Sequence, residues 1–334
     1  MPLFTSNSSP ALVCPPGRWS QVWFWTLVLS LAGAMALEIS LRAVGHHPSV
    51  VDDFSLWSYW REKASGSSLN TVVVLGSSRI QLGFSPAAWR QEFPEHQVIQ
   101  LAINGTQPLA TLTDLARDNR FRGTVILDAP ASLIGWSFDD QQAYVDYFYR
   151  QWNLQQRWER FLRTFLQRHF VFVNPSADIR RLKGALFAGK LPPPFYIETF
   201  PDRSRQADYQ AQPAILPGSP SAPKSGPVRL DDDQRKKLAV MRQGINAIRQ
   251  RGGRVILVRL PSSGQTRLDE DCLFPKALFW APFTRADGAF AINFEEVPAL
   301  AGFTCQDGGH LDKRDAPSFT LRLAQEIKKR QLLL

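Results

Sequence analysis

The sequence predicts an α/β protein of three layers, with a mostly parallel sheet covered by helices on both faces. Three observations carry this. Short runs of Val, Ile and Leu recur without polar alternation, as strands buried on both faces require: TVVVL at 71–75, QVIQLAI at 97–103, TVIL at 124–127 and RVILVRL at 254–260. Helical patterns fall between or after them, over 108–119 with Leu109, Leu112 and Leu115 on one face, over 232–251, and over 317–331. Strand and helix therefore alternate, which is the pattern of helices packed on a parallel sheet.

The first element in chain order precedes this rhythm. From Trp19 to Leu37 there is no charged residue, and Trp19, Trp23 and Trp25 cluster at its leading end. As a helix this stretch rises about 28 Å, close to the roughly 30 Å hydrocarbon core of a bilayer. It reads as an uncleaved signal anchor, as a long signal peptide cut after Ala34-Met35-Ala36, or as a buried core helix. The anchor is preferred because the apolar pattern continues through Ile39, Leu41 and Val44. Arg18 and the amino terminus precede it, so the positive-inside rule places residues 1–18 in the cytoplasm and the bulk of the chain outside.

The organisation expected is a tail over 1–18, the anchor over 19–44 and a juxtamembrane segment over 45–69. An α/β domain follows over 70–138 and resumes over 229–334, interrupted by an insertion or lid over 139–228. The first half of that insertion, 141–172, is helical in spacing and rich in aromatic residues and arginine. Its second half, 191–228, is rich in Pro, Ser and Gly and reads as a long loop with little regular structure.

Composition excludes several classes. The chain has 334 residues, 44% of them hydrophobic, which is ample to build a core. A mean hydropathy of -0.21 excludes a polytopic membrane protein. Three cysteines make neither a disulfide framework nor a four-cysteine zinc site. The net charge of +9 invites a nucleic-acid reading. Much of the excess lies in the insertion, however, where Arg150, Arg157, Arg160, Arg163, Arg168, Arg180, Arg181, Lys183 and Lys190 face only Glu159 and Asp178. The stretch reads either as an ordinary amphipathic helix with solvated arginines or, outside the cytoplasm, as a surface for an anionic glycan or lipid, and no nucleic acid is expected. No Gly-x-Gly-x-x-Gly follows a strand and no Walker loop is present.

The polar residues at the strand ends carry the chemistry. Open parallel sheets place sites at the carboxyl ends of their strands. Gly76-Ser77-Ser78-Arg79 follows the first strand, Asn104-Gly105 the second, and Asp307-Gly308-Gly309-His310 stands shortly before the last helix. A serine hydrolase needs a hydroxyl exposed on a tight turn, a histidine to take its proton and an acid to orient that histidine. Ser78 would open a helix, leaving its own N–H to donate, and Gly105 offers a second N–H. Asp307 and His310 are spaced so that the carboxylate reaches one imidazole nitrogen while the other faces the serine.

Together these blocks resemble the SGNH (GDSL-like) hydrolase superfamily. Gly76, Ser77 and Ser78 match its first block, Gly105 the glycine of its second and Asp307 with His310 its last. The resemblance implies a flavodoxin-like sheet order, Ser78 as nucleophile, His310 as base, Asp307 as its orienting acid and no cofactor. With the anchor and the stretch Gln81 to Pro86, the chain looks like the membrane-anchored branch, similar to proteins of alginate O-acetylation and of D-alanine transfer to teichoic acids. A membrane-bound O-acyltransferase is then a candidate partner. One block departs from the family pattern: the third strand runs into Asp128-Ala129-Pro130-Ala131-Ser132, without the oxyanion asparagine of Gly-x-Asn-Asp. Asn104 is the candidate substitute. The family reading thus has two branches, an active serine esterase or O-acyltransferase and an inactive relative that binds glycan or a partner.

Other residues have simpler expectations. Arg79 either contacts an anionic substrate or fixes the helix start through a salt bridge. The aspartates at 139–140 and 231–233 read as acidic helix starts. His46 and His47 follow the anchor and are expected near the headgroups, and His96 lies at the amino end of its strand, away from the site. Cys14 falls in the cytoplasmic tail. The anchor reading puts Cys272 and Cys305 outside, where a disulfide between them can persist. No other His, Cys or Asp cluster has metal-ligand spacing, so no metal is expected.

Overall fold

The computed structural model describes residues 17–66, 68–128, 139–174, 179–211, 230–281 and 290–333. The expected tail with Cys14, the loop with Ala129–Ser132 that follows the third strand, and residues 212–228 of the Pro/Ser/Gly-rich stretch lie outside the described residues. The core is a five-stranded sheet of β1 (Thr71–Leu75), β2 (Gln97–Gln100), β4 (Thr124–Asp128), β8 (Arg254–Arg259) and β9 (Phe290–Asn293), in the order β2-β1-β4-β8-β9. All four pairings are parallel, with Val73 opposite Ile99 and Val125, and Leu127 opposite Leu257. The α/β fold class holds. Beyond Gln100 the chain still runs beside β1, where Leu101 N–H donates to Val74 and Ile103 N–H to Gly76.

Every residue of β1 and β4 is buried, because helices cover both faces. On one face the Phe54–Ala64, Leu109–Arg117, Gln142–Arg150 and Asp232–Gln250 helices supply Trp57, Leu112, Val145 and Ile245 to one cluster with Val73, Leu127 and Leu257. On the other, the Ser78–Gly83, Pro86–Glu92 and Ala316–Lys329 helices supply Ile80, Trp89 and Phe319 to a second cluster with Val72, Ile126 and Ile256. Each such fully buried apolar side chain contributes about 1.5–3 kcal/mol. The helix starts are written in the sequence: Asp231 and Gln234 form a capping box, and Asp53 accepts from the N–H groups of Ser55 and Leu56.

Four features differ from the sequence reading. The strand β9 was not expected; its four residues, FAIN, are too short to show a period. The 191–228 stretch is not all loop, since β6 (Ile197–Thr199) and β7 (Arg205–Ala207) pair antiparallel around a turn at Pro201-Asp202. Residues Asp139–Asp140 form a short strand β5 beside β3 (Thr106–Gln107), and the helix begins only at Gln142. His46 is buried, with its Nε2 2.8 Å from the Pro192 carbonyl, because the chain after the first helix folds back against Pro192; only His47 is exposed.

The Trp19–Ala43 helix is long and apolar enough to cross a membrane. It is exposed along its length except near its last turns, where Glu38 and Leu41 are buried against Val171.

Candidate active site

The first strand ends in a turn that only glycine permits. Gly76 has φ +152°, and a Cβ there would come within 2.7 Å of both the Asp128 Cβ and Ile80 Cγ2. Ser77 is extended, and Ser78 opens the Ser78–Gly83 helix. The next strand along the sheet from β1 is β4, while β2 lies on its other side. Ser78 thus sits where the strand order reverses, which is where open α/β sheets place their ligands.

The structure brings Ser78, His310 and Asp307 together. His310 Nε2 lies 2.8 Å from Ser78 Oγ, and its Nδ1 lies 2.7 Å from Asp307 Oδ2. Asp307 Oδ1 accepts from the backbone N–H groups of Gly309 at 2.9 Å and His310 at 2.8 Å. The loop that holds them is fixed to the end of β8: Ser263 N–H donates to the Gly308 carbonyl and Cys305 N–H to Ser263 Oγ, both at 2.9 Å. Burial alone would raise the Asp307 carboxyl. The hydrogen bond and charge of His310 and the two backbone donors outweigh it, and they hold the group well below the usual carboxylate range.

Two residues in contact with this arrangement were not expected. Tyr209, just after β7, donates its hydroxyl to Asp307 Oδ2 at 2.8 Å, while its own N–H donates to Asp312. Burial, the adjacent carboxylate and that hydrogen bond push the phenol far above its ordinary value, so it remains a donor. The Pro-Asp turn flanked by Tyr196, Ile197 and Tyr209 was the available signal for this hairpin. Gln141 is fully buried and donates to the Gly76 carbonyl at 3.2 Å and to Thr106 Oγ1 at 3.0 Å, stitching the turn before Ser78 to the segment after Gly105.

Asn104 and Gly105 form an exposed turn, with Gly105 at φ +70°. The Asn104 side chain lines a cavity of about 340 Å³ with Asp52, Tyr144 and Arg205, none of which belongs to the Ser78–His310–Asp307 set. A second cavity, about 560 Å³, runs beside the Ser78–Gly83 helix, lined by Leu82, Phe84, Phe200, Arg205 and Pro317.

Arg79 is not placed to bind a substrate. Its guanidinium is turned inward, ion-paired to Glu270 at 2.5 Å and donating to the carbonyls of Leu260 and Pro261. Its side chain is 13% exposed. It straps the helix of Ser78 to the end of β8 and to the Gly264–Leu273 helix. The expected disulfide is absent: Cys272 and Cys305 are both free thiols. Cys305 is turned into the core with Sγ 3.3 Å from the Pro261 carbonyl, and burial pushes its thiol up to about 12.

Asp128, the last residue of β4, lies under the Gly76 turn and is buried. Burial raises its carboxyl to about 7, against the opposing charge of Arg79 and with a smaller upward push from Glu270. Among the described residues its Oδ2 has no hydrogen-bond partner. No group of three or more His, Cys, Asp or Glu side chains among the described residues is arranged to hold a metal ion.

No family model and no curated protein matches the chain. Among solved structures it is similar to one titled "Crystal Structure of TesA", at 14% identity, covering 78% of this chain and 98% of that one with a TM-score of 0.31. A likeness that distant carries no argument about this site, which rests on its own geometry.

Proposed function

We propose that the chain is a serine ester hydrolase or O-acyltransferase, anchored in a membrane by the Trp19–Ala43 helix, that acts outside the cytoplasm on a cell-envelope glycan. The observation that carries the chemistry is the continuous chain of contacts from Ser78 Oγ through His310 to Asp307, at 2.8 and 2.7 Å. The long apolar Trp19–Ala43 helix supports the anchor, and the resemblance to the membrane-anchored branch of the SGNH superfamily supports the glycan and a membrane-bound O-acyltransferase as partner.

In this reading Ser78 Oγ attacks the acyl carbonyl as His310 Nε2 takes its proton. Asp307, kept ionised, holds the imidazole in the tautomer that leaves Nε2 free to accept, and it stabilises the imidazolium that forms. The oxyanion takes hydrogen bonds from the N–H of Ser78, which as the first helical residue has no acceptor within its helix, and from the N–H of Gly105. His310 then returns the proton to the departing alcohol. The acyl-serine passes to water or to a sugar hydroxyl, whose proton follows the same route back through His310.

A fluorophosphonate probe tests this. It should label the wild-type chain and leave Ser78→Ala unlabelled; equal labelling of the two sinks the proposal. The sequence favours one second reading, because the residues after β4 contain no oxyanion asparagine. Losing one such donor costs about 100- to 1000-fold in rate. If a Ser78→Ala strain modifies its envelope like wild type while a deletion strain does not, the role is binding and assembly.

A further inference from the structure

The Leu154–His169 helix is packed inside out. Its residues Leu154, Trp158, Phe161, Leu162 and Phe165 recur at helical spacing, and each is more than half exposed. The opposite face, turned to the body of the protein, is polar. Arg160 is 2% exposed and donates to Asp53, Ser55 and the Val51 carbonyl, and buried Gln167 accepts from Val51 N–H. The hydrophobic effect alone would turn such a helix the other way round. Its orientation is instead fixed by the buried Arg160–Asp53 pair.

What lies beside this face is given by the end of the Trp19–Ala43 helix. Glu38 accepts from the N–H groups of Val171 and Phe172 at 2.8 and 3.0 Å, Arg42 donates to the His169 carbonyl at 2.9 Å, and Leu41 packs on Val171. These contacts join the carboxyl end of the exposed helix to the point where the uncharged stretch of the anchor stops. Arg157 and Arg163 are ion-paired, with Glu62 and with Asp53 and Glu159, but Arg168 is exposed at the carboxyl end of the same helix, where its charge suits anionic headgroups. Wherever the anchor leaves the bilayer, the aromatic stripe is held next to that boundary.

We propose that the Leu154–His169 helix lies in the lipid interface, with Trp158, Phe161 and Phe165 among the upper acyl chains and Arg168 at the phosphates. The anchor then acts as one of two membrane contacts, and together they fix the tilt of the domain over the surface. The inference rests on the anchor reading above, and its test separates the two.

The full chain, with Cys14 and Cys272 replaced by serine, is reconstituted in phosphatidylcholine–phosphatidylglycerol vesicles. Cys305, buried with its thiol at about 12, stays unlabelled. A bimane label is placed in turn at Leu29→Cys, Phe161→Cys, Trp158→Cys and Lys329→Cys. Lipids brominated on the acyl chain should extinguish most of the fluorescence at 29, 158 and 161 and spare 329, which iodide should quench instead. Quenching at 29 with positions 158 and 161 open to iodide overturns the interfacial helix and leaves the anchor standing. Shielding of 158 and 161 from both quenchers means that a protein covers the face, and it also overturns the lipid contact. Absence of lipid quenching at 29 removes the anchor and the inference with it.

Discussion

Two carboxylates lie close to the turn that carries Ser78, and their surroundings push them in opposite directions. Asp307, in the loop before the last helix, is held well below the ordinary range, whereas Asp128, at the end of β4, is raised to about 7. Both are buried enough for desolvation to raise them, and each has a cationic or protonatable neighbour. The difference lies in donors. Asp307 receives four hydrogen bonds, from Gly309 N–H, His310 N–H, His310 Nδ1 and Tyr209 Oη. Asp128 has Arg79 nearby, but that guanidinium donates to Glu270, Leu260 and Pro261. A neighbouring charge without a hydrogen bond does not hold a buried carboxylate in its ionised form. One turn thus has an ionised acid on its histidine side and an acid that titrates near neutrality on its sheet side.

Replacing the acid that has the full set of donors should do the most damage. In Asp307→Asn the amide oxygen can keep the backbone donors of Gly309 and His310, which puts the NH₂ group against His310 Nδ1. That nitrogen must then accept, so the imidazole proton moves to Nε2, where it blocks proton uptake from Ser78. The expected loss in acylation rate is about 10⁴-fold with little change in fold. It is read as the burst with p-nitrophenyl acetate at neutral pH, and a loss of less than tenfold would remove Asp307 from the catalytic role.

The second acid should show itself in stability. With the native carboxyl at about 7 and the unfolded one near 3.8, the native state binds the extra proton between those values. Stability from this group is fully present below about pH 4 and drains away as pH rises through about 7. At about 1.4 kcal/mol per unit, the shift caps the effect at about 4 kcal/mol. Asp128→Asn carries no such proton, so its Tm should exceed that of the wild type at pH 8.5, with the gap narrowing as the pH falls and closing at about pH 4. A gap that widens toward acid would mean that Asp128 is ionised in the native state and paired with Arg79.

The half of this comparison that was legible in the sequence is the half built from local spacing. Gly76-Ser77-Ser78 follows a run of apolar residues, and Asp307 lies three residues before His310, so both could be read without a structure. The central strands and the capped Asp232–Gln250 helix were legible for the same reason. What was hidden is long-range. Tyr209 meets Asp307 across 98 residues, from a stretch whose Pro, Ser and Gly content masked a hairpin. Arg79 meets Glu270 across 191 residues, so no local pattern told a salt bridge from a substrate contact. The amphipathic period of the Leu154–His169 helix was visible, but the period does not say which face meets the protein. That was decided by one buried pair, Arg160 with Asp53, whose partners lie 107 residues apart.

The smallest expected effect isolates a single donor. Tyr209→Phe leaves the ring packed on Leu82 and Ala207 and removes only the hydroxyl from Asp307 Oδ2. A hydrogen bond to a charged group contributes about 1.5–3 kcal/mol, and solvent reaching a half-buried loop would offset part of that. Three donors remain on Asp307, so the acid stays ionised at neutral pH and His310 keeps its tautomer. The acylation rate should therefore fall by about tenfold, with KM unchanged, because Tyr209 acts through the acid and does not touch the acyl group. The acid limb of the pH–rate profile should shift as well, since the field around the His310–Asp307 pair changes; a purely structural role for Tyr209 would lower Tm and leave that limb in place. A drop as large as that of Asp307→Asn would mean that the hairpin hydroxyl, and not the backbone donors of Gly309 and His310, is what keeps the acid oriented.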